Sequence, residues 1–373
     1  MLALLSSGHH RGVGIQSRAT ATALLLLLLV LTLGVVSANE QNQAQLNCGE
    51  DDSPKGQCRN GPEALKLKLI AIASILATSV LGVCLPVFSR SVPALHPDSN
   101  IFVVVKAFAS GVILATGYMH VLPDSFEFLT SDCLPEVPWS KFPFTTFVAM
   151  LSAVATQMVD SFAMAYYRKI HAKPSTGSHG KGAVKDVVAV EGGEVHAHAH
   201  GGFGQDLGDD NSRLLRHRVV AQVLEMGIVV HSVVIGLSMG ASDNACTIKP
   251  LVAALCFHQF FEGMGLGGCI LQGEFSLKVK AIMVFFFSIT TPGGIALGIG
   301  LSNTYSESSP TALIVVGLLN ACSAGLLNYM ALVDLIALDF MGPKLQGSMK
   351  LQVFGYVALL LGAGGMALMA KWA

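Results

Sequence analysis

Two apolar runs decide how this chain folds: VVAQVLEMGIVVHSVVIGLSMG at 219–240 and PLVAALCFHQFFEGMGLGGCIL at 250–271, joined by a polar connector at 242–249. Each run is long enough to cross a bilayer, which takes about 20 residues. Both runs carry ionisable side chains, and such groups at membrane depth are costly and usually mark an ion path or a proton relay. We therefore expect these runs to be the working pair of a polytopic membrane protein.

The composition of the whole chain supports the membrane class. Charged residues make up 13% and hydrophobic residues 52%, with a mean hydropathy of +0.59, whereas soluble domains carry about 25% charged residues. The formal net charge of −1 and the lack of a basic block argue against a nucleic-acid partner. Because the apolar runs are unbroken, they predict an all-α polytopic protein with eight transmembrane helices and not a β-barrel.

The eight predicted spans are 67–88, 101–122, 142–167, 219–240, 250–271, 277–301, 310–332 and 351–370. Proline lacks a backbone N–H, so we expect Pro123 to interrupt the second helix and Pro292-Gly293-Gly294 to break the sixth. The domain order is then helices 1–3 within 67–167, a long loop, and helices 4–8 within 219–373, which contain the two opening runs.

The first 38 residues have the layout of a secretory signal peptide. Arg11 and Arg18 precede an apolar core at 24–33, and small residues at 36–38 provide a cleavage site. The alternative is a first transmembrane anchor. Cleavage would make 39–66 an extracytosolic N-terminal segment.

Two cysteines in that segment, Cys48 and Cys58, predict a disulfide loop in an oxidising compartment. Cys133 lies in a later loop on the same predicted side and competes as a partner. The connectivity stays open.

The hydrophilic segment 168–218 cannot bury enough apolar area to order itself, and we predict a flexible loop. With eight spans and the N-terminus outside, the inner loops carry 13 Lys and Arg against seven outside. This bias places the loop in the cytosol and both termini outside it. The loop histidines His196, His198 and His200 would bind a metal ion loosely in a regulatory role, and the alternative is a solvated linker.

A metal site is predicted on the opening pair of runs. His258 and Glu262 are four apart and share a helix face. Imidazole suits zinc and iron(II), and a carboxylate adds the charge that a divalent ion requires. His231 would supply a third ligand if the two helices are antiparallel neighbours. The alternative is that each histidine is a hydrogen-bonded structural residue.

Other polar residues suggest an access and release path for a cation. On the extracellular side, His120 and Asp124 are four apart and Glu127 follows one turn later; simple interfacial polarity is the alternative. Asp160 lies within the third span with no obvious partner in the sequence. Glu225 lies towards the cytosol, as a second coordination point or as a structural pair for a basic residue.

With these residues in hand, the chain resembles the ZIP family (Zrt-, Irt-like proteins), and within it the plant iron- and zinc-regulated transporters. The resemblance covers about 63–373. The most specific matches are HSVVIGLSMG at 231–240 and HQFFEGMGLG at 258–267, supported by GYMHVLPDSFE at 117–127 and by HAHAH at 196–200.

The resemblance implies import of a divalent metal into the cytosol, with the first, fourth, fifth and sixth spans moving against the other four like an elevator. It implies His231, His258 and Glu262 as transport ligands, with Ser232 and Gln259 beside them. Bacterial relatives carry acidic residues where this chain has Ile235 and Gln259, and these departures favour a single principal site.

We therefore predict a transporter of iron(II) or zinc, with manganese and cadmium also accommodated, and no prosthetic group or enzymatic activity. Competing hypotheses are an intramembrane zinc metalloenzyme, against which the chain has no HExxH pair, and a metal-sensing receptor. The expected location is the plasma membrane, with a vacuolar or other endomembrane as the alternative. A homodimer and ubiquitination of the loop lysines Lys173, Lys181 and Lys185 stay open.

Overall fold

The computed structural model describes residues 60–88, 99–171, 206–301 and 309–371. The described residues form eight long helices and a few short helical turns, with no strand among them. The long helices are α1 (Gly61–Phe88), α2 (Asn100–Leu129), α3 (Phe144–His171), α4 (Asp206–Ala241), α5 (Ala245–Gln272), α6 (Leu277–Leu301), α7 (Pro310–Phe340) and α8 (Met349–Ala370).

Seven of these helices are long and apolar enough to cross a membrane. The eighth, α5, is not among the seven; it is 28 residues long and carries His258, Gln259 and Glu262 among its hydrophobic residues. The prediction of an all-α polytopic membrane fold is confirmed. The number of spans and the side on which the termini lie stay predictions.

The helices pack as two groups of four. In the first group α1 packs against α5 and α6, and α4 packs against α6 and α5. In the second group α2 packs against α8, and α7 packs against α3 and the C-terminal part of α2. The groups meet where α5 contacts α2 and where α4 contacts α7 and α3, so α4 and α5 lie at the boundary between them.

Glycines hold α4 and α6 backbone to backbone. A Cβ atom added at Gly240 would lie 2.8 Å from the Cα of Gly298, and one added at Gly236 would lie 3.0 Å from the Cα of Gly294. Such distances leave no room for a side chain, and small residues at this spacing are how membrane helices approach closely. The first group is therefore tightly joined along this seam.

The largest apolar cluster crosses the boundary between the two groups. It combines Leu224 and Ile228 of α4, Leu266 and Ile270 of α5, and Met330 of α7 with other buried side chains. Within a bilayer such contacts act through close packing and not through exclusion of water. The boundary between the two groups is therefore closely packed by apolar side chains.

Two predicted boundaries were wrong. The helix α4 begins at Asp206, so 206–218 is helical and does not belong to the loop predicted at 168–218. Only the part from Leu214 onwards counts as a candidate span, and a helix that continues past the bilayer can carry polar residues. The connector predicted at 242–249 is also shorter, because α5 begins at Ala245 with Asn244 as its N-cap.

Neither predicted proline break occurs. The helix α2 continues through Pro123, which is the second residue after a π-helical turn at Gly117–Val121. The helix α6 runs unbroken through Pro292, and Gly294 serves as a contact with α4. Prolines and glycines are tolerated in membrane helices where neighbouring helices support the freed backbone groups.

The cysteines differ from expectation. Cys133 is free, so it is not the competing disulfide partner. Cys246, at the start of α5, is disulfide-bonded, and its partner lies outside the described residues. The predicted signal peptide at 1–38 and both Cys48 and Cys58 also lie outside them.

Candidate metal centre

Three side chains meet at the boundary of the two helix groups. His231 comes from α4, and His258 and Glu262 come from one face of α5. Each offers a ligand atom, and these atoms all lie within 4.8 Å of one another. The two imidazole rings are 5.7 Å apart between centroids. The short connector makes α4 and α5 antiparallel neighbours. This is the condition under which His231 was predicted to join His258 and Glu262.

The donor set fits a divalent metal ion. All three side chains are at most 1% exposed, and none of their nitrogen or oxygen atoms has a hydrogen-bond partner among the described residues. Zinc binds nitrogen and oxygen ligands at about 2.0–2.1 Å, so two ligands of one ion lie at most about 4.2 Å apart. Small side-chain rotations would close the 4.8 Å cluster to that size.

Ser232 and Gln259 are buried beside this centre but do not belong to the three-residue cluster. The Gln259 Oε1 atom accepts a hydrogen bond of 3.4 Å from the Thr291 hydroxyl of α6. Its Nε2 atom and the Ser232 hydroxyl have no partner among the described side chains and backbone. Ile235 lies in an apolar cluster with Ile75 and Leu255.

His120 lies closer to this centre than its predicted place at the outer end of α2 suggests. Its ring centroid is 6.1 Å from that of His258, and its side chain is 5% exposed. On the other side, its Nδ1 atom lies 3.8 Å from an Asp124 carboxylate oxygen. Asp124 is 38% exposed and Glu127 is exposed. The three residues therefore run from the outside of the bundle to the buried centre.

The remaining predicted path residues lie away from the centre. Glu225 is 1% exposed, and neither carboxylate oxygen has a partner among the described residues. It precedes His231 by six residues, about 9 Å along a helix. Asp160 has a partner that the sequence did not reveal, because the Tyr329 hydroxyl of α7 donates a 3.4 Å hydrogen bond to it.

Sequence reasoning missed Asp334. It lies in a π-helical segment of α7, Met330–Ala337, and is 1% exposed. Neither of its carboxylate oxygens has a partner among the described residues, although Asp334 interacts electrostatically with Asp160 and Arg216. The sequence could have identified Asp334, since it is the one acidic residue of the apolar segment MALVDLIA.

The loop histidines His196, His198 and His200 lie outside the described residues. Their proposed regulatory binding of metal therefore stays a prediction. The same holds for ubiquitination of the loop lysines.

Comparison with known proteins gives the family. The family model described as "ZIP Zinc transporter" matches residues 65–370. Fe(2+) transport protein 1 of Oryza sativa subsp. japonica is 58% identical over 353 residues, 91% of this chain and 92% of that protein. Zinc transporter 7 of Arabidopsis thaliana is 56% identical over 91% of this chain and 93% of the relative. Fe(2+) transport protein 1 of Arabidopsis thaliana is 55% identical, with coverages of 87% and 90%. The chain therefore belongs to the ZIP zinc transporter family.

Proposed function

We propose that this protein imports a divalent metal ion, iron(II) or zinc, into the cytosol, with His231, His258 and Glu262 as the carrying ligands. The observation that carries the proposal is the meeting of three buried donor side chains whose polar atoms lack partners among the described residues. Relatives named as iron(II) and as zinc transporters support both ions.

The alternative of an intramembrane metalloenzyme is set aside, since the family consists of transporters and not of enzymes. The ion is the substrate of this protein and is not a resident cofactor. Three protein ligands leave a coordination position open, as in sites that exchange their fourth ligand. An open position lets the ion exchange water for protein ligands as it arrives and leaves.

The transport movement that we infer is a displacement of the first helix group, α1, α4, α5 and α6, against the second. All three carrying ligands belong to the first group, so the site would move as one unit. The glycine seam between α4 and α6 supports this rigidity. His120 belongs to the second group and would pass the ion from Asp124 to His258 without moving with the carrier.

Direction follows from charge and potential. The excess of Lys and Arg in the predicted inner loops supports a cytosolic position of the long loop. An inside-negative potential contributes about 2.3 kcal/mol per charge per 100 mV, hence about 4.6 kcal/mol for a divalent ion. Import therefore needs no coupling ion in principle.

Radiolabelled uptake tests the proposal in metal-starved cells that lack their own high-affinity uptake. Cells that display the wild-type protein at their surface should accumulate iron(II) or zinc above the level of empty-vector cells. Competition between the two ions then ranks them. Unchanged accumulation with the protein verified at the plasma membrane would contradict the proposal, whereas retention in an internal membrane would favour the endomembrane location.

A further inference from the structure

A polar contact crosses the boundary between the two helix groups at the end of the bundle where α2 begins and α5 ends. The Lys106 ammonium of α2 donates a 2.9 Å hydrogen bond to the side-chain oxygen of Gln272 on α5. It also forms a 2.9 Å ion pair with Asp339 of α7. Lys106 and Asp339 belong to the second group and Gln272 to the first, so the hydrogen bond joins the groups and the ion pair does not.

This contact lies well away from the metal centre. Gln272 follows Glu262 by ten residues, which is about 15 Å along an α-helix. The hydrocarbon core is about 30 Å thick, so this distance is about the depth of one leaflet. In the orientation given under Proposed function, the contact lies on the cytosolic side. It therefore acts on the boundary between the groups and not on the metal.

The helices beside this contact meet through side chains. A Cβ atom added at Gly268 of α5 would lie 3.4 Å from the Phe102 Cζ atom and 3.9 Å from the Lys106 Cδ atom, and one added at Gly265 would lie 3.0 Å from the Ile113 Cδ1 atom. The seam between α4 and α6, by contrast, is backbone against backbone. Side chains can rearrange when one helix moves along another, whereas a hydrogen bond requires its two atoms within about 3.2 Å. A displacement of a few ångströms between α5 and α2 therefore breaks the bond.

Two other side-chain hydrogen bonds between helices stay within one group. Ser152 of α3 donates to the Cys322 carbonyl of α7 within the second group, and Thr291 of α6 donates to Gln259 of α5 within the first. A displacement of the groups leaves these bonds intact. It separates Lys106 from Gln272 but leaves the ion pair with Asp339, so no buried charge loses its last partner. The contact can therefore open and close without a large energetic cost.

We propose that the Lys106–Gln272 hydrogen bond holds the first helix group in the position described here and breaks each time this group moves during transport. The inference rests on the movement of the groups put forward under Proposed function. An interaction made in one position of the carrier and lost in the other favours the first position. Lys106 and Gln272 are thus positioning residues and not ligands of the metal.

Cys269 provides a reporter for this contact. Its thiol is free and 1% exposed, it lies three residues before Gln272, and it interacts electrostatically with Lys106. Movement of the first group away from Lys106 would uncover the thiol and allow its alkylation. Cys322 is also free and buried, but it lies against Ser152 within the second group. It is therefore an internal control for unfolding.

Alkylation of the full-length protein in membranes with N-ethylmaleimide, followed by mass spectrometry of the Cys269 and Cys322 peptides, tests the proposal. In Gln272→Leu, Cys269 should react about tenfold faster than in the wild type, which corresponds to about 1.4 kcal/mol, and Cys322 should react at its usual rate. Gln272→Glu should slow the reaction of Cys269, because a carboxylate accepts a stronger hydrogen bond from an ammonium group. The matched control is Gln346→Leu, which removes a 2.8 Å hydrogen bond to the Phe340 carbonyl within the second group and should leave Cys269 unchanged.

Equal alkylation of Cys269 in Gln272→Leu and in the wild type would overturn the proposal. So would faster alkylation of both Cys269 and Cys322, since Gln272 would then be a structural residue whose loss opens the whole protein. Metal uptake by the wild type is measured in parallel. Absent uptake would contradict the proposed import, whereas the alkylation rates need no metal and still report on the contact, so the two failures are told apart.

Discussion

Two clusters of polar side chains lie inside this bundle, one around the buried Lys106 and one formed by buried ligand-type residues, and they differ in whether their polar atoms have hydrogen-bond partners. In the first, the Lys106 ammonium donates to the Gln272 side chain and to the Asp339 carboxylate, both at 2.9 Å. In the second, the polar atoms of His231, His258 and Glu262 have no hydrogen-bond partner among the described residues.

The difference separates a structural role from a binding role. Burying a polar group costs free energy unless a hydrogen bond or a charge compensates it. The Lys106 cluster provides that compensation itself and joins α2 and α7 to α5. The histidine cluster does not, so a bound cation is the natural compensation. Both clusters contain buried polar groups. They differ in whether those groups have hydrogen-bond partners within the protein.

The largest expected effect is the loss of transport when a carrying ligand is removed. His258→Ala should lower metal uptake to the level of empty-vector cells, because only two of the three buried donors would be left. Radiolabelled uptake, normalised to protein at the cell surface, measures this. The control is Ile235→Val, an apolar change near the site that should cost only about 0.5–1.5 kcal/mol of stability and leave uptake intact. Equal losses in both variants would assign His258 to structure.

Substitutions in the Lys106 cluster should change the stability of the protein. Lys106→Met leaves the Asp339 carboxylate, which is 18% exposed, without its buried partner. Breaking a fully buried pair costs about 3 kcal/mol, and partial access of water to Asp339 makes the expected cost smaller than that. Thermal unfolding of the purified protein in detergent should therefore shift to lower temperature. The double variant Lys106→Met with Asp339→Leu should recover most of the loss, because it leaves no unpaired charge. A double variant as unstable as the single one would contradict the comparison.

Glu225 is a buried polar residue without a described hydrogen-bond partner that lies away from the metal centre, so it tests whether such residues act in binding. Glu225→Gln removes a buried carboxylate that has no described partner, so stability should stay equal or rise. Uptake should fall about tenfold, which corresponds to about 1.4 kcal/mol of lost attraction for the ion. Paired measurements of thermal unfolding and uptake decide the matter. A fall in stability with unchanged uptake would make Glu225 a structural residue.

The smallest effect is expected in the loop that the sequence predicts to be cytosolic. Replacing His196, His198 and His200 together by alanine should change initial uptake by no more than about twofold, because none of them is among the proposed carrying ligands. The response to excess metal should change instead, since these histidines would bind the ion only after it has crossed. Uptake time courses at low and high external metal measure both quantities. Loss of initial uptake equal to that of His258→Ala would place the loop in the transport path.

Much of this arrangement was predictable from the sequence, because helix bounds and residue spacing depend on short stretches of sequence. The range 277–301 was predicted for the sixth helix, and α6 spans Leu277–Leu301, since polar turns bound an unbroken apolar run. The meeting of His231 with His258 and Glu262 was predictable from a four-residue spacing and a short connector.

Other features depend on tertiary contacts that no local pattern reveals. The hydrogen bond from Tyr329 to Asp160 joins residues 169 positions apart. The approach of His120 to His258 depends on how α2 packs against α5. The helical start of α4 at Asp206 was hidden by its polar composition, which resembles that of a loop.

The π-helical turn at Gly117–Val121 has a consequence for how such transporters can diversify. In this turn the N–H of Leu122 bonds to the carbonyl of Gly117, one residue further back than in an α-helix, so the turn accommodates an additional residue. Because the wide turn itself takes up that residue, the helix on either side of it stays nearly in phase, and deleting the residue would restore α-helical bonding with little rotation of Asp124 and Glu127. A single insertion or deletion within this turn can therefore change which side chain takes the place of His120 beside His258, while the packing of α2 before the turn against α8 is retained.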